Sequence, residues 1–337
     1  MNVNESEAMR RLPRTCRAAD GVLWFGEVDS TNTVARRLLA ETWPSADTAG
    51  PDVAGAETAA ACAGAAGVFG DGVADAAGAV GDGIADAADA PHIAVVVADS
   101  QTAGHGRLGR QWVSRPGESS MVSFATVLPQ SLVTDSRVNG WLQMIAGLAA
   151  IDAMTAVLAE TGADRCCASH GPKDDCALML KWPNDVFLHG RKLGGILLES
   201  VMLPAADIPM AGLVIGIGLN LNLPADHLPT DQATSLQLHR APLPDPLELR
   251  DRIAAGTVTV LRSRMRAFAV DPTDYAVALR DETEALCWTL GRRVEARMTD
   301  GSVMWGVATA LNPDASLTVC ADDGVDHVVR TGDVGVL

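Results

Sequence analysis

Basic charge is scarce in this sequence. Against 42 aspartates and glutamates stand 26 lysines and arginines, a formal net charge of −16. A chain this acidic is repelled as a whole by nucleic-acid phosphate and by anionic membrane, so neither is expected as a partner. Cysteine is sparse and badly placed for stapling. The seven thiols, at 16, 62, 166, 167, 176, 287 and 320, are odd in number and scattered. That excludes a disulfide framework and fits a reduced, cytoplasmic setting. Met1–Asp20 is polar and carries no apolar leader run. Long uncharged apolar runs are missing too. The longest, around Trp141–Leu158, is interrupted by Asp152 and reads as a core helix rather than a membrane span.

What is present is nearly half apolar over 337 residues, enough for one large domain and a small one. After an N-terminal tail, 1–21, the run VLWFGEV at 22–28 has the β-branched and aromatic texture of a strand. Asp29-Ser30-Thr31-Asn32 then supplies helix N-caps ahead of Val34, Leu38 and Leu39 at helical spacing. Residues 43–91 differ in kind. They hold eight acids and no lysine or arginine, and repeat GDGVADAA (70–77) as GDGIADAA (81–88). Two copies cannot build a solenoid, so the segment reads as a flexible acidic insertion. IAVVVA at 93–98 and Met121–Leu128 read as strands, and Arg137–Thr161 as a helix stopped at Gly162. Leu178–Trp182 is a further strand. Val186–Leu188 and Gly194–Val201 form a hairpin across 189–191, and Leu213–Leu221 is another strand. Helices follow at about 246–269 and 272–284. From residue 285 short alternating strands are separated by Asp300-Gly301, Asn312-Pro313-Asp314 and Asp323-Gly324, the turn chemistry of a small barrel. The fold class is therefore α+β, 22–284, followed by a β domain, 285–337.

Four blocks carry chemistry. Gly104-His105-Gly106-Arg107-Leu108-Gly109 satisfies the dinucleotide pattern G-x-G-x-x-G, but Arg110 to Gly117 cannot start a helix cleanly, and no Gly-Lys-Ser/Thr closes a Walker loop. The physical content survives. Glycines let backbone N–H groups approach an anion, and between Gln101 and Pro116 there are three arginines and no acid. Lys181-Trp182-Pro183-Asn184-Asp185 puts a lysine on a strand, a proline that stops the ladder, and an amide and a carboxylate at the turn. That turn also admits a bland reading, as a plain Asn-Asp turn before a hairpin. KLGGILLE at 192–199 brings a second lysine into a buried strand whose paired glycines mark close approach by a ligand or a backbone. GIGLNLN at 216–222 repeats the theme and ends in carboxamides able to bond a purine edge or ribose.

QTAGHGRLGRQW, KWPND, KLGGILLE and GIGLNLN, in this order and with DSTN at 29–32 before them, resemble the biotin–protein ligases. The resemblance runs from about residue 22 to 337, apart from the acidic insertion and the cysteine loop 166–176. It implies a class II aminoacyl-tRNA synthetase-like, biotin/lipoate-ligase catalytic domain, a mixed sheet packed by helices, followed by an SH3-like barrel. It further implies that ATP with Mg²⁺ converts biotin to biotinyl-5′-AMP, and that the biotinyl group passes to a lysine of the biotin carboxyl carrier domain of acyl-CoA carboxylases. Carried over by position, Arg107, Lys192 and Asp185 would be catalytic. Ser30, Thr31, Asn32, Gln101, Gly104, His105 and Gly195, with Arg107 and Lys192, would hold biotin. Arg110, Trp112, Lys181, Asn184 and Asn220, again with Arg107, would hold ATP or the adenylate, and Asp185 would be the Mg²⁺ ligand. One departure concerns the phosphate loop. Its first basic residue is usually arginine in the family and is His105 here, and Leu108 stands at another often basic place. If the loop uses only backbone at 105, the change is harmless, and that is the expectation.

Three rival readings remain at the level of sequence. A lipoate–protein ligase of the same fold lacks the KWPND block. A ligase that doubles as a repressor needs a winged helix-turn-helix, for which about twenty residues before the first strand are too few. A non-catalytic nucleotide- or metal-binding regulator would use Cys166, Cys167, His170 and Cys176, but adjacent cysteines are poor tetrahedral partners. A monomer or weak homodimer is expected.

Overall fold

The computed structural model describes residues 3–42, 90–112, 115–163, 177–203 and 209–337. The acidic insertion 43–91, up to residue 89, and the whole cysteine loop 166–176 lie outside the described residues.

A seven-stranded mixed sheet organises the larger domain. Its strands are β1 (Gly21–Val28), β2 (Ala94–Gln101), β3 (Ser119–Pro129), β4 (Leu178–Lys181), β5 (Asp185–Leu188), β6 (Arg191–Met202) and β7 (Met210–Asn220), in the order β1-β2-β3-β7-β6-β5-β4. The β1–β2 pair is parallel and every other pair is antiparallel. The β5–β6 hairpin is tighter than its sequence suggests. Leu188 pairs with Arg191, and the two turn residues His189 and Gly190 both have positive φ, the type I′ geometry that matches strand twist.

Period-two alternation sends the strands' side chains to two different cores. Val95, Val97, Val122 and Phe124 face the main one, with Ile145 and Leu148 of the long helix α5 (Gly140–Thr161) and Val258 and Leu261 of α6 (Pro246–Val270). Ala94, Val96 and Ala125 face the other, where α3 (Thr31–Thr42) lays Ala35, Leu38 and Leu39 on the sheet. Gly140–Thr161 is the one described helix long and apolar enough to cross a membrane, and 72% of its apolar window is buried inside the fold, the placement of a core helix. α6 and α7 (Pro272–Leu286) start on Asp245 and Asp271, whose carboxylates accept first-turn N–H groups ahead of a proline at N1.

The N-terminal segment is not the tail its polar composition suggests. Val3–Arg11 and Pro13–Ala18 are helices, α1 and α2, with Ala8, Leu12 and Thr15 fully buried. Their anchor is remote in sequence: the backbone N–H and hydroxyl of Thr15 both donate to Asp251 Oδ1 at 2.8 Å, and Asp251 sits buried in α6. A short α4 (Gln130–Thr134) follows β3.

The C-terminal domain is a five-stranded antiparallel sheet, SH3-like, built from β8 (Arg293–Arg297), β9 (Val303–Leu311), β10 (Leu317–Ala321), β11 (Asp326–Val329) and β12 (Asp333–Val336), in the order β11-β10-β9-β8-β12. Val294, Ala296, Ala308, Leu317, Val319 and Val334 form its interior. Two tryptophans of the larger domain bolt it down. Trp141 Nε1 donates to Pro313 O at 2.7 Å and Trp182 Nε1 to Ala315 O at 2.9 Å. The tryptophan of the KWPND block thus spends its polar edge on the domain junction.

Candidate active site

The α3 face of the sheet is covered by that helix only in part. Beyond the helix N-terminus the strands lose their side chains: Gly216 and Gly218 on β7 and Gly195 on β6 are in register, Gly218 beside Gly195 on one side and Met121 on the other. These glycines make room for particular neighbours. A Cβ on Gly216 would lie 2.2 Å from Asn32 Oδ1, and a Cβ on Gly218 would lie 2.7 Å from the Trp112 indole. The result is a cavity of about 140 Å³. Ser30, Thr31, Asn32, Gln101, His105, Arg107, Arg110, Trp112, Asn184, Asp185, Lys192 and Gly195 line it, twelve residues drawn from four separate stretches of sequence.

One end of the cavity is polar and uncharged. Thr31 donates its backbone N–H (2.7 Å) and its hydroxyl (3.1 Å) to Gln101 Oε1, which joins the start of α3 to the end of β2. The buried Ser123 hydroxyl lies 2.6 Å from Asn32 Oδ1 and 2.8 Å from Thr31 Oγ1, and Asn32 Nδ2 donates to Glu199 at 2.8 Å. Ser123 pairs with Gly216 across β3 and β7, so the niche left by the absent side chain holds the Asn32 amide beside the serine. Amide and hydroxyl groups fixed this way suit a neutral heterocycle with its own donors and acceptors.

The other end is cationic. Asn184 is clamped to β6, its carbonyl accepting from Ile196 N at 2.9 Å and its Nδ2 donating to Ile196 O at 3.0 Å. Its remaining oxygen accepts from Arg107 Nη1 at 3.1 Å, and Arg107 Nη2 donates to Gly332 O at 3.2 Å. Asp185 is buried, with Lys192 Nζ 2.7 Å from one oxygen and Lys181 Nζ 3.7 Å from the other. Arg110 pairs with Asp333. Burial pushes the Lys181 ammonium and the Arg107 guanidinium below their usual pKa values, with Asp185 the largest opposing charge on each. Four cations and two carboxylates at one end of a cavity leave a net positive field for an anion.

Three of the residues singled out in the sequence do not line this cavity. Gly104 serves the loop itself: a Cβ there would be 2.6 Å from Trp112 O and 2.7 Å from the Gln101 amide, so only glycine lets the loop fold back. Lys181 stands behind Asp185, its side chain 12% exposed. Asn220, at the end of β7, donates from Nδ2 to Thr234 O at 3.0 Å and accepts at Oδ1 from Ser119 Oγ at 3.4 Å. Asp185 lines the cavity, and both of its oxygens face ammonium groups. His105 lines the cavity with its ring 3.8 Å from Glu199 and its Nδ1 3.3 Å from Ala103 O, while its backbone bridges to Gln111.

Ser123, Gly332 and Asp333 are parts of the site that sequence reasoning missed. Ser123 carries a weak signal, a hydroxyl inside an apolar strand. Gly332-Asp333 reads as one more turn of the small domain, with nothing to tie it to the phosphate loop.

Known proteins resemble this chain in sequence and in fold. A profile of the Biotin/lipoate A/B protein ligase family matches residues 87–220. The biotin–[acetyl-CoA-carboxylase] ligase of Mycobacterium tuberculosis is 31% identical over 247 residues, covering 71% of this chain and 77% of that protein. The bifunctional ligase/repressor BirA of Bacillus spizizenii is 26% identical over 243 residues, 71% of this chain and 65% of its own length. The fold matches that of a biotin protein ligase from Aquifex aeolicus, solved in complex with biotin and ATP, with a TM-score of 0.55 at 19% identity over 94% of this chain and 98% of that one.

Proposed function

Since the chain belongs to the biotin protein ligases, we propose that the glycine-floored cavity activates biotin with ATP and delivers it to a lysine of a carboxylase carrier domain. The observation that carries this reading is the arrival of Arg107 and Lys192, from separate blocks, at one end of a cavity whose other end is neutral and amide-lined.

Biotin and ATP are the substrates. In the first step a carboxylate oxygen of biotin attacks the α-phosphorus of ATP, the bond from that phosphorus to the bridging oxygen breaks, and pyrophosphate leaves. Two anions must meet, and Arg107 and Lys192 offset their repulsion and the charge that builds on the phosphoryl oxygens. Arg107 spends two of its five N–H donors on Asn184 and Gly332 O, which fixes the guanidinium plane and leaves donors for the substrate. Asp185 holds Lys192 in place from the buried side. Thr31, Asn32 and Gln101, with Ser30, bind the ring system. Trp112, seated on Gly218, walls off the nucleotide from water. In the second step the acceptor amine attacks the activated carbonyl, AMP departs with the anhydride oxygen, and the ammonium loses its extra proton. Mg²⁺ would be held mainly by the phosphate oxygens of ATP with Asp185 as the protein carboxylate, and would lower the charge on the leaving pyrophosphate. The acidic chain works on proteins and small molecules in the cytoplasm, apart from nucleic acid and membrane.

The test is direct. The protein is mixed with ATP, Mg²⁺, biotin and an apo carrier domain, with and without excess lipoate, and the carrier is weighed by mass spectrometry. The expected result is a single biotinyl addition on one lysine, unaffected by lipoate. A lipoyl adduct, or an unmodified carrier, would overturn the assignment.

A further inference from the structure

The phosphate loop is a self-bonded finger. Gly106 N donates to Arg110 O at 2.7 Å, Trp112 N donates to Gly104 O at 2.8 Å, and His105 bridges to Gln111. Its tip turns through Leu108 (φ 57°) and Gly109 (φ 73°), with the Leu108 side chain in solvent. Two guanidinium groups tie that tip to the rest of the protein. Arg107 reaches Asn184 and Gly332 O, and Arg110 reaches Asp333. Two of these three partners belong to the C-terminal domain.

Those partners stand at a fixed place. Gly332 has φ 147°, and a Cβ there would be 2.5 Å from Arg297 O, so the chain can pass this close to β8 only as glycine. Asp333 then opens β12 and pairs with Arg297 across the sheet. The whole domain is held by the Trp141 and Trp182 indoles on the turn at 313–315. Burial opposes ionisation of Asp333. The Arg110 hydrogen bond and the charges of Arg110, Lys181 and Arg107 outweigh it and hold the carboxyl below the usual range. An anchor whose anionic form is favoured by its neighbours therefore faces the cationic finger.

We propose that Asp333 is a positioning residue for the nucleotide half of the reaction: it holds Arg110 and, with the Gly332 carbonyl on Arg107, fixes the loop 104–112 across the cavity from the C-terminal domain. The role rests on the ligase reading given above. An arginine left to sample solvent spends substrate binding energy on being ordered, whereas one already held presents its remaining donors at no such cost. Asp333 takes one edge of the Arg110 fork and leaves the other edge for phosphate.

The test compares wild type, Asp333→Asn and Asp333→Glu by biotin-dependent pyrophosphate release at varied ATP, with biotin affinity measured separately by calorimetry. For Asp333→Asn, KM for ATP should rise roughly five- to tenfold while kcat stays within about twofold, the size expected for one lost positioning contact. Biotin affinity should not change, and glutamate should return KM to within about twofold of wild type because it restores the charge-assisted bond. An unchanged KM would overturn the proposal. So would a lower KM, since it would mean that Asp333 competes with phosphate for Arg110. A matching loss of biotin affinity would show a general disturbance instead and would also overturn it. Wild type releasing no pyrophosphate would bring down the ligase reading itself; an active wild type with an unaltered Asn variant would sink the positioning role alone.

Discussion

Replacing Lys192 with alanine lowers the rate of biotin-dependent pyrophosphate release by at least ~10³-fold while the protein stays folded. Lys192 lines the cationic end of the cavity, where it is proposed with Arg107 to meet the reacting phosphate, and its Nζ lies 2.7 Å from Asp185 Oδ1. Removing one preorganised donor from such a site costs about 10²–10³ in rate, and a full positive charge set against two approaching anions belongs at the upper end or above. Structural damage is small for a specific reason. Asp185 is buried and would be costly to orphan, but Lys181 remains 3.7 Å from its other oxygen. With that second cation in place the loss of stability should be about 1 kcal/mol. Pyrophosphate release and thermal melting, measured on the same preparation, separate the two effects. Adenylation within tenfold of wild type would remove Lys192 from the mechanism. Collapse of the fold would show that Lys181 cannot compensate Asp185 alone.

Gly216→Ala is expected to act at the opposite end of the cavity. The new Cβ falls 2.2 Å from Asn32 Oδ1 and 2.8 Å from Asn32 Cγ, so the Asn32 amide must move. It cannot move cheaply, being buried and held by Ser123 on one side and Glu199 on the other. Displacing it disrupts two buried hydrogen bonds, about 2–3 kcal/mol, and weakens biotin binding roughly 30- to 150-fold. The fold survives, because overpacking by one methyl costs about 1–3 kcal/mol. Calorimetry with biotin alone reads the effect without any turnover. An unchanged affinity would mean that the Asn32 end of the cavity does not hold the ring system.

Much of this was legible in the sequence, and the reasons are physical. The strands at 94–101, 119–129 and 210–220 are sandwiched between two cores, so apolar residues run through them almost unbroken, and their interruptions by glycine are informative. Gly194 sits where a Cβ would meet Gly218 O at 2.4 Å, and Gly216 and Gly218 sit under Asn32 and Trp112. The glycines mark the close approaches that the sequence pattern implies. The arginine-rich, acid-free stretch from 101 to 116 stands out against a net charge of −16, and its residues Gln101, His105, Arg107, Arg110 and Trp112 do line the cavity.

What was not legible depends on partners far away along the chain. The N-terminal helices looked like a polar tail because their anchor, Asp251 on Thr15, lies 236 residues on. Asn220 ends a glycine-bearing strand, and the Thr234 carbonyl that accepts from its amide lies 14 residues on. The two lysines that meet Asp185 come from β4 and β6, and the local Asn-Asp turn does not announce them. Asp333 looks like a turn residue until the Trp141 and Trp182 indoles fix the C-terminal domain against the larger one. Local pattern reveals a residue's chemistry and the face it occupies. Which remote group meets it is a property of the packed molecule.

One guanidinium, Arg107, and one ammonium, Lys192, are proposed together to neutralise the phosphate of a biotinyl adenylate inside the glycine-floored cavity. The most direct measurement is calorimetric titration of a non-hydrolysable biotinyl-adenylate analogue into wild type, Arg107→Ala and Lys192→Ala. The predicted result is that wild type binds the analogue more tightly than it binds biotin, and that each substitution removes most of this gain while leaving affinity for biotin within about tenfold of wild type. Equal affinity of wild type for biotin and for the analogue, or a gain that survives both substitutions, would contradict it.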